Sequence, residues 1–269
     1  MSTLMIMPVF AILSLIAYLT SLGLIIPSLL RKKGLHRHWT LISALFALVF
    51  HGISLQQRIF DVDYGQNLSL LNIASGTSLL ISAIMTFVAS KDRGWILLPI
   101  VYSFSIINLA LSSFSPWEFI THLEDSPTLL IHIVLALFSY ATLIIAALYA
   151  IQIAWIDYQL KNKKLRFSPD MPPLLSIERK MFHITQVGVI LLTLTLTTGI
   201  FYLDNLLDKD NLHKTTLSVM AWLIYLVLLW GHHSKGWRGR KVVWFSLSGA
   251  FLLTMGYFGS RLIQALLAH

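Results

Sequence analysis

Ten histidines and no cysteine define the chemistry open to this chain. Without thiols, disulfides, thiol redox steps and cysteine-ligated metals are all excluded. Imidazole remains, and in its neutral form it is the side chain best suited to bind a divalent metal or a haem iron near neutral pH. His51 and His132 stand inside long apolar runs, His183 opens another, His232 and His233 close a fourth, and His36 and His38 sit among basic residues. Two histidines facing each other across a helical bundle could hold a haem edge-on. A lone histidine inside a membrane also serves as an interhelical hydrogen-bonding group, and both readings apply to His51 and His132.

The segments that must position these residues are apolar enough to decide the class of protein. Hydrophobic residues make up 56% of the chain and charged residues 12%, against about 25% charged in a water-soluble domain. Eight stretches long enough to span a bilayer run at about 4–29, 39–57, 69–90, 95–115, 128–156, 182–203, 215–232 and 242–266. The expected fold is an all-α membrane protein, a bundle of about eight transmembrane helices forming one integral membrane domain over residues 1–269. The first stretch is too long for the core of a signal peptide and has no basic residue before it. The longest connection, roughly 25 residues between Asp157 and Met181 with Pro169, Pro172 and Pro173, is too short to bury a core of its own, so no soluble domain is expected.

Charge gives the orientation. The net charge of +8 is distributed between apolar segments, which marks topological signals and not a nucleic-acid surface. Alternating spans put sixteen of the twenty lysines and arginines on one side, in four clusters from Arg31 to Lys241. The other side receives most of the acids, including Asp204, Asp208 and Asp210. The positive-inside rule then places both termini on the outer, periplasmic side. On that scale His51 lies roughly 10 Å and His132 roughly 6 Å below the outer surface, at similar levels, whereas His232 lies near the inner surface.

Other clusters carry weaker chemistry. Gly236-Trp237-Arg238-Gly239-Arg240-Lys241 reads either as an arginine fork for an anionic group or as a tight basic loop with an interfacial tryptophan. The Thr193, Thr195, Thr197 and Thr198 run is expected to bond backbone carbonyls of its own helix. Asn72, Asn108 and Gln152 are expected to bond between helices. No charged residue lies deep in a span, and no internal repeat is evident, which argues against an ion relay or a repeat-built transporter.

The segment 123–143, with His132 followed by Ser139-Tyr140-Ala141, resembles the outer-histidine helix of the CcsA/ResC/HemX cytochrome c assembly superfamily. Leu192-Thr193-Leu194 with Thr198-Gly199, then Ala221-Trp222-Leu223-Ile224-Tyr225, then Gly236-Trp237-Arg238-Gly239-Arg240 and Tyr257-Phe258-Gly259 continue the likeness in order over most of the chain. The resemblance implies a multi-pass protein of the bacterial inner membrane that handles haem. In it His132 matches an outer-face haem ligand, His51 an early transmembrane histidine, and His232, or the adjacent His233, a later one. The interval between Gly199 and Trp222 contains no tryptophan, unlike the WWD-bearing segment that presents haem in the assembly proteins. The expected function is therefore haem binding, with haem transport or a role related to cytochrome c biogenesis, and no enzymatic step. The alternative is a haem-free regulatory or accessory subunit, serving a metal-ion transporter or the control of haem synthesis. The expected partners are the lipid bilayer, haem and another membrane protein, with no nucleic acid.

Overall fold

The computed structural model describes residues 3–31, 36–62, 65–91, 94–115, 118–123, 127–162, 173–202 and 209–259. They form eight α-helices: α1 Thr3–Arg31, α2 Arg37–Phe60, α3 Leu70–Lys91, α4 Leu98–Phe114, α5 Pro127–Lys161, α6 Leu174–Tyr202, α7 Lys209–Lys235 and α8 Arg240–Thr254. Counting α8 together with the π-helical turn that carries it on to Gly259, seven of them are long and apolar enough to cross a membrane. The exception is α4, whose 17 residues span about 26 Å of a hydrocarbon core about 30 Å thick. A 3₁₀ turn at Gly94–Ile96 adds about 6 Å in front of it. The expected fourth span at 95–115 is thus a shorter α-helix preceded by a tighter one, because Pro99 sits in the first turn, the position where proline starts a helix well.

The chain divides into two compact units, Met1–Asp125 and Ser126–His269. In the first, α1 packs on α2, α2 on α3, α3 on α4, and α4 returns to α1. Its centre holds Tyr18, Ile81, Met85, Leu98, Tyr102 and Leu109, all essentially without exposure. Serines let these helices approach closely and bond across them: Ser14 donates to the Ala47 carbonyl at 2.8 Å, and the Ser21–Ser43 and Ser82–Ser105 hydroxyls meet at 2.7 and 2.6 Å. Such bonds contribute about 0.6 kcal/mol on average inside a membrane. Ser82→Ala should cost about that much in a micelle unfolding titration, a shift at the edge of detection. A two-residue antiparallel pairing, β1 Gln66–Asn67 with β2 Ile120–Thr121, ties the α2–α3 connection to the segment after α4.

The second unit repeats that order of neighbours, α5 on α6, α6 on α7, α7 on α8 and α8 on α5. Its interior is Leu143, Ile145, Ile177, Met181 and Tyr225, with a line of alanines on α5. Helix α5 continues to Lys161, past the expected end near 156, and in its last turn the Asp157 carboxylate accepts from Lys161 Nζ at 2.6 Å. At 35 residues it is about 52 Å long and must project from the bilayer. Helix α8 passes into a π-helical turn at Met255–Gly259. Large apolar side chains such as Ile16, Phe104, Ile200 and Phe201 face outward, as the surface of a lipid-embedded helix must. The acidic segment 203–208, the basic residues 163–166 and the end of the expected eighth span lie outside the described residues.

Candidate ligand histidines

His51, His132 and His232 belong to different local environments. His51 lies in the N-terminal unit, on the α2 face that carries Thr40, Ala44, Ala47 and Ser54. The side chain is 0% exposed, and both ring nitrogens are bonded. Nδ1 lies 3.2 Å from the Tyr18 hydroxyl of α1 and Nε2 lies 2.9 Å from the Ser75 hydroxyl of α3. The Tyr18 ring meets the imidazole edge-on, with centroids 5.9 Å apart. One imidazole thereby joins three helices, and neither nitrogen is left for a metal unless one of these bonds breaks. That is the hydrogen-bonding reading of an intramembrane histidine.

His132 lies in the C-terminal unit, one turn into α5, and is half-buried. Its Nδ1 is 3.1 Å from the Thr198 hydroxyl of α6, which in turn donates to the Thr195 carbonyl at 2.9 Å. The ring also has a hydrogen bond with the Thr195 backbone. An imidazole oriented by hydrogen bonds from its surroundings is the arrangement found in metal sites. The threonine run does bond its own helix as expected: Thr193, Thr195 and Thr197 each donate to the carbonyl four residues back. It also holds side chains from neighbouring helices, His132 through Thr198 and the Trp222 indole through Thr193 at 2.9 Å.

His232 closes α7. Gly236, at φ 63°, supplies the left-handed residue that ends the helix, with its N–H on the His232 carbonyl and the Trp237 N–H on the Gly231 carbonyl, both at 3.1 Å. The Gly236 bond is that of the αL cap. It folds Trp237 back so that its carbonyl meets His232 Nδ1 at 3.1 Å. A carbonyl only accepts, so Nδ1 carries the proton and Nε2 keeps its lone pair. One face of the ring is covered by Phe182 of α6, with centroids 3.4 Å apart and planes at 18°. Arg238 is not an open fork for an anion, since its Nε and Nη2 both donate to Glu178 Oε2, at 3.0 and 2.8 Å. The pairing holds the guanidinium above its ordinary pKa. His233 is exposed.

His132 and His232 cannot serve one iron. Their contacts on α6, Thr198 and Phe182, are 16 positions apart, about 24 Å at helical rise. Of the buried amides, Asn72 bonds the Asn67 carbonyl of β1 and Asn108 bonds its own helix at Phe104. Gln152 Oε1 is buried without a partner. Bonding between helices falls to serine, threonine and tyrosine hydroxyls instead. No group of three or more metal-ligating side chains occurs among the described residues.

Comparison with known proteins covers nearly the whole chain. The family model described as cytochrome C assembly protein matches residues 39–268. The inner membrane protein YpjD of Escherichia coli K12 is 64% identical over 263 residues, 97% of this chain and 100% of that protein. A cytochrome c biogenesis protein CcsA of Prochlorococcus marinus (strain MIT 9515) is 27% identical over 247 residues, 81% of this chain and 70% of the relative. An uncharacterised 28.8 kDa protein of Azospirillum brasilense is 31% identical over 144 residues, about half of each chain. No solved structure matches.

Proposed function

Because the chain belongs to the cytochrome c assembly protein family, we propose that it binds haem through His132, as a haem-handling component without a catalytic step of its own. It is a multi-pass inner membrane protein. The observation that carries the reading is the held imidazole of His132, with Thr198 at Nδ1 and the Thr195 backbone also bonded to the ring. Haem, if bound, would supply an iron that the His132 imidazole could ligate. Thr198 would hold the ring in place for that role. His232, held at Nδ1, is the second candidate ligand, at a separate site. His51 is assigned to holding the N-terminal unit together. The excess of basic residues on one side supports a topology with both termini periplasmic, and with it a location for His132 close beneath the outer surface. Transport of haem and delivery to cytochrome c biogenesis both fit such a site.

Haemin titration of the detergent-purified protein, followed by absorbance, is the direct test. One haem per chain with a Soret band is expected, with binding lost in His132→Ala and retained in His122→Ala. Thr198→Val should weaken affinity by about tenfold or more, the usual effect of removing a group that orients a ligand. A Soret band unaffected by His132→Ala would overturn the assignment. The haem-free reading, an accessory membrane subunit, is favoured by the doubly bonded His51 and by the absence of tryptophan between Gly199 and Trp222. It predicts no band at all from folded protein.

A further inference from the structure

At the end of the C-terminal unit where α5 and α7 finish and α6 and α8 begin, positive charge outruns its partners. The described residues there include two carboxylates, Asp157 and Glu178, and each is already taken. Lys161 Nζ lies 2.6 Å from Asp157, and Arg238 Nη2 lies 2.8 Å from Glu178. Lys235, Arg240 and Lys241 stand at the turn between α7 and α8, and all three are exposed. No carboxylate among the described residues neutralises them.

Both lysines are laid back on indole rings. Lys235 Nζ lies 4.8 Å from the Trp230 ring centroid and Lys241 Nζ 5.9 Å from that of Trp237, which keeps the ammonium groups beside the bilayer edge and not out in water. Trp230 and Trp244, 54% and 60% exposed, mark that edge on the two helices, since outward-facing indoles gather at the headgroup level. The turn between them is open, because a Cβ at Gly236 or Gly239 would meet nothing within 4 Å. Gly239 starts α8 without a side-chain cap, and no acid stands in the first turn. The partial positive charge of that helix end therefore adds to the three cations.

The partner that complements this patch lies in the headgroup layer, carries net negative charge and offers several oxygen acceptors. We propose that the α7–α8 turn binds the phosphodiester of an anionic phospholipid such as phosphatidylglycerol, with Arg240 as its fork and Lys235 and Lys241 as flanking ammonium groups. A zwitterionic lipid fits less well, because its own cation would face three basic side chains. Arg238 stays on Glu178 throughout. The patch shares no residue with the His132 site, so it stands apart from the haem reading.

Native mass spectrometry of the protein released from nanodiscs of equal phosphatidylglycerol and phosphatidylcholine tests it. Phosphatidylglycerol should be retained at least several-fold over phosphatidylcholine. Arg240→Gln should lower its retention about fivefold, the usual effect of one basic residue at an anionic surface. The triple variant Lys235→Gln, Arg240→Gln and Lys241→Gln should show no preference, with its melting temperature in detergent reporting that it is folded. Lys91→Gln removes an exposed cation of the N-terminal unit that also rests on an aromatic ring, Phe87 at 4.3 Å, and should leave retention unchanged. Equal retention of the two lipids by the wild type, an undiminished preference in both turn variants, or an equal fall in Lys91→Gln would each overturn the proposal. So would displacement of the lipid by inorganic phosphate but not by chloride at equal ionic strength, which would make the patch a site for a soluble anion.

Discussion

Gly231→Ala is expected to destabilise the protein by about 3 kcal/mol, the upper end of the range for overpacking a filled site. A Cβ at Gly231 would stand 2.3 Å from Trp237 Cε3 and 2.4 Å from Cδ2, where carbon atoms need about 3.5–4.0 Å. The indole cannot swing aside cheaply. Its backbone is fixed by the turn at the end of α7, and its ring packs on Phe245 with centroids 5.2 Å apart. For a chain of this size the apparent melting temperature in detergent should fall by roughly 6–12 °C. The change should also reach His232, whose Nδ1 bond runs to the displaced residue. Gly52→Ala, in the middle of α2, is the matched control. The new methyl there meets only Leu79 at 3.9 Å, so the helix should gain up to about 1 kcal/mol from the better helix former. If both substitutions lower the melting temperature alike, the close seat of Trp237 over α7 is wrong.

His51→Leu should cost about 1–3 kcal/mol, concentrated in the N-terminal unit, by stranding the Ser75 hydroxyl; the Tyr18 hydroxyl keeps Ser82 and Ser105 as side-chain partners. The informative comparison is the double variant His51→Leu with Ser75→Ala. Removing both polar partners together is close to neutral where removing one is expensive. The double variant is therefore expected to be more stable than His51→Leu alone, by micelle denaturation. Haem retention by the double variant would locate the cofactor away from His51. Loss of haem with stability intact would return His51 to the ligand set.

These two sites show what the sequence disclosed and what it could not. Apolar length and the placement of lysine and arginine were enough to mark the helices, because a bilayer imposes one dimension on every span. Apolar length also put His132 near the start of a helix, as α5 has it. Depth carries no azimuth, however. Nothing in the run around His51 indicates that Tyr18, 33 positions earlier, points at its Nδ1. Likewise Thr198 was legible as a backbone-bonding threonine but not as the group that turns His132, since a hydroxyl can do both and only the packing of α5 on α6 adds the second role. The Gly236-Trp237 pair had a local signal, a glycine just past an apolar run, which foretells a helix end. Its consequence, an indole folded over Gly231, depends on a positive φ that composition alone does not fix. The shortness of α4 was missed because hydropathy continues smoothly through Trp95–Leu97 while the backbone changes to a 3₁₀ turn.

The pairing of β1 with β2 also sets an order of events during synthesis. Gln66 leaves the ribosome about 55 positions ahead of its partner Thr121, a delay of roughly 3–11 s at 5–20 residues per second. Arg58 waits almost as long for the Ser112 and Ser115 carbonyls. During that interval the connection after α2 is open and its amide groups must be served by water or lipid headgroups. It closes when the segment after α4 arrives, before α5 has left the ribosome. The first four helices are thereby a self-latching product of translation, complete while the histidine-bearing α5 is still inside the ribosome.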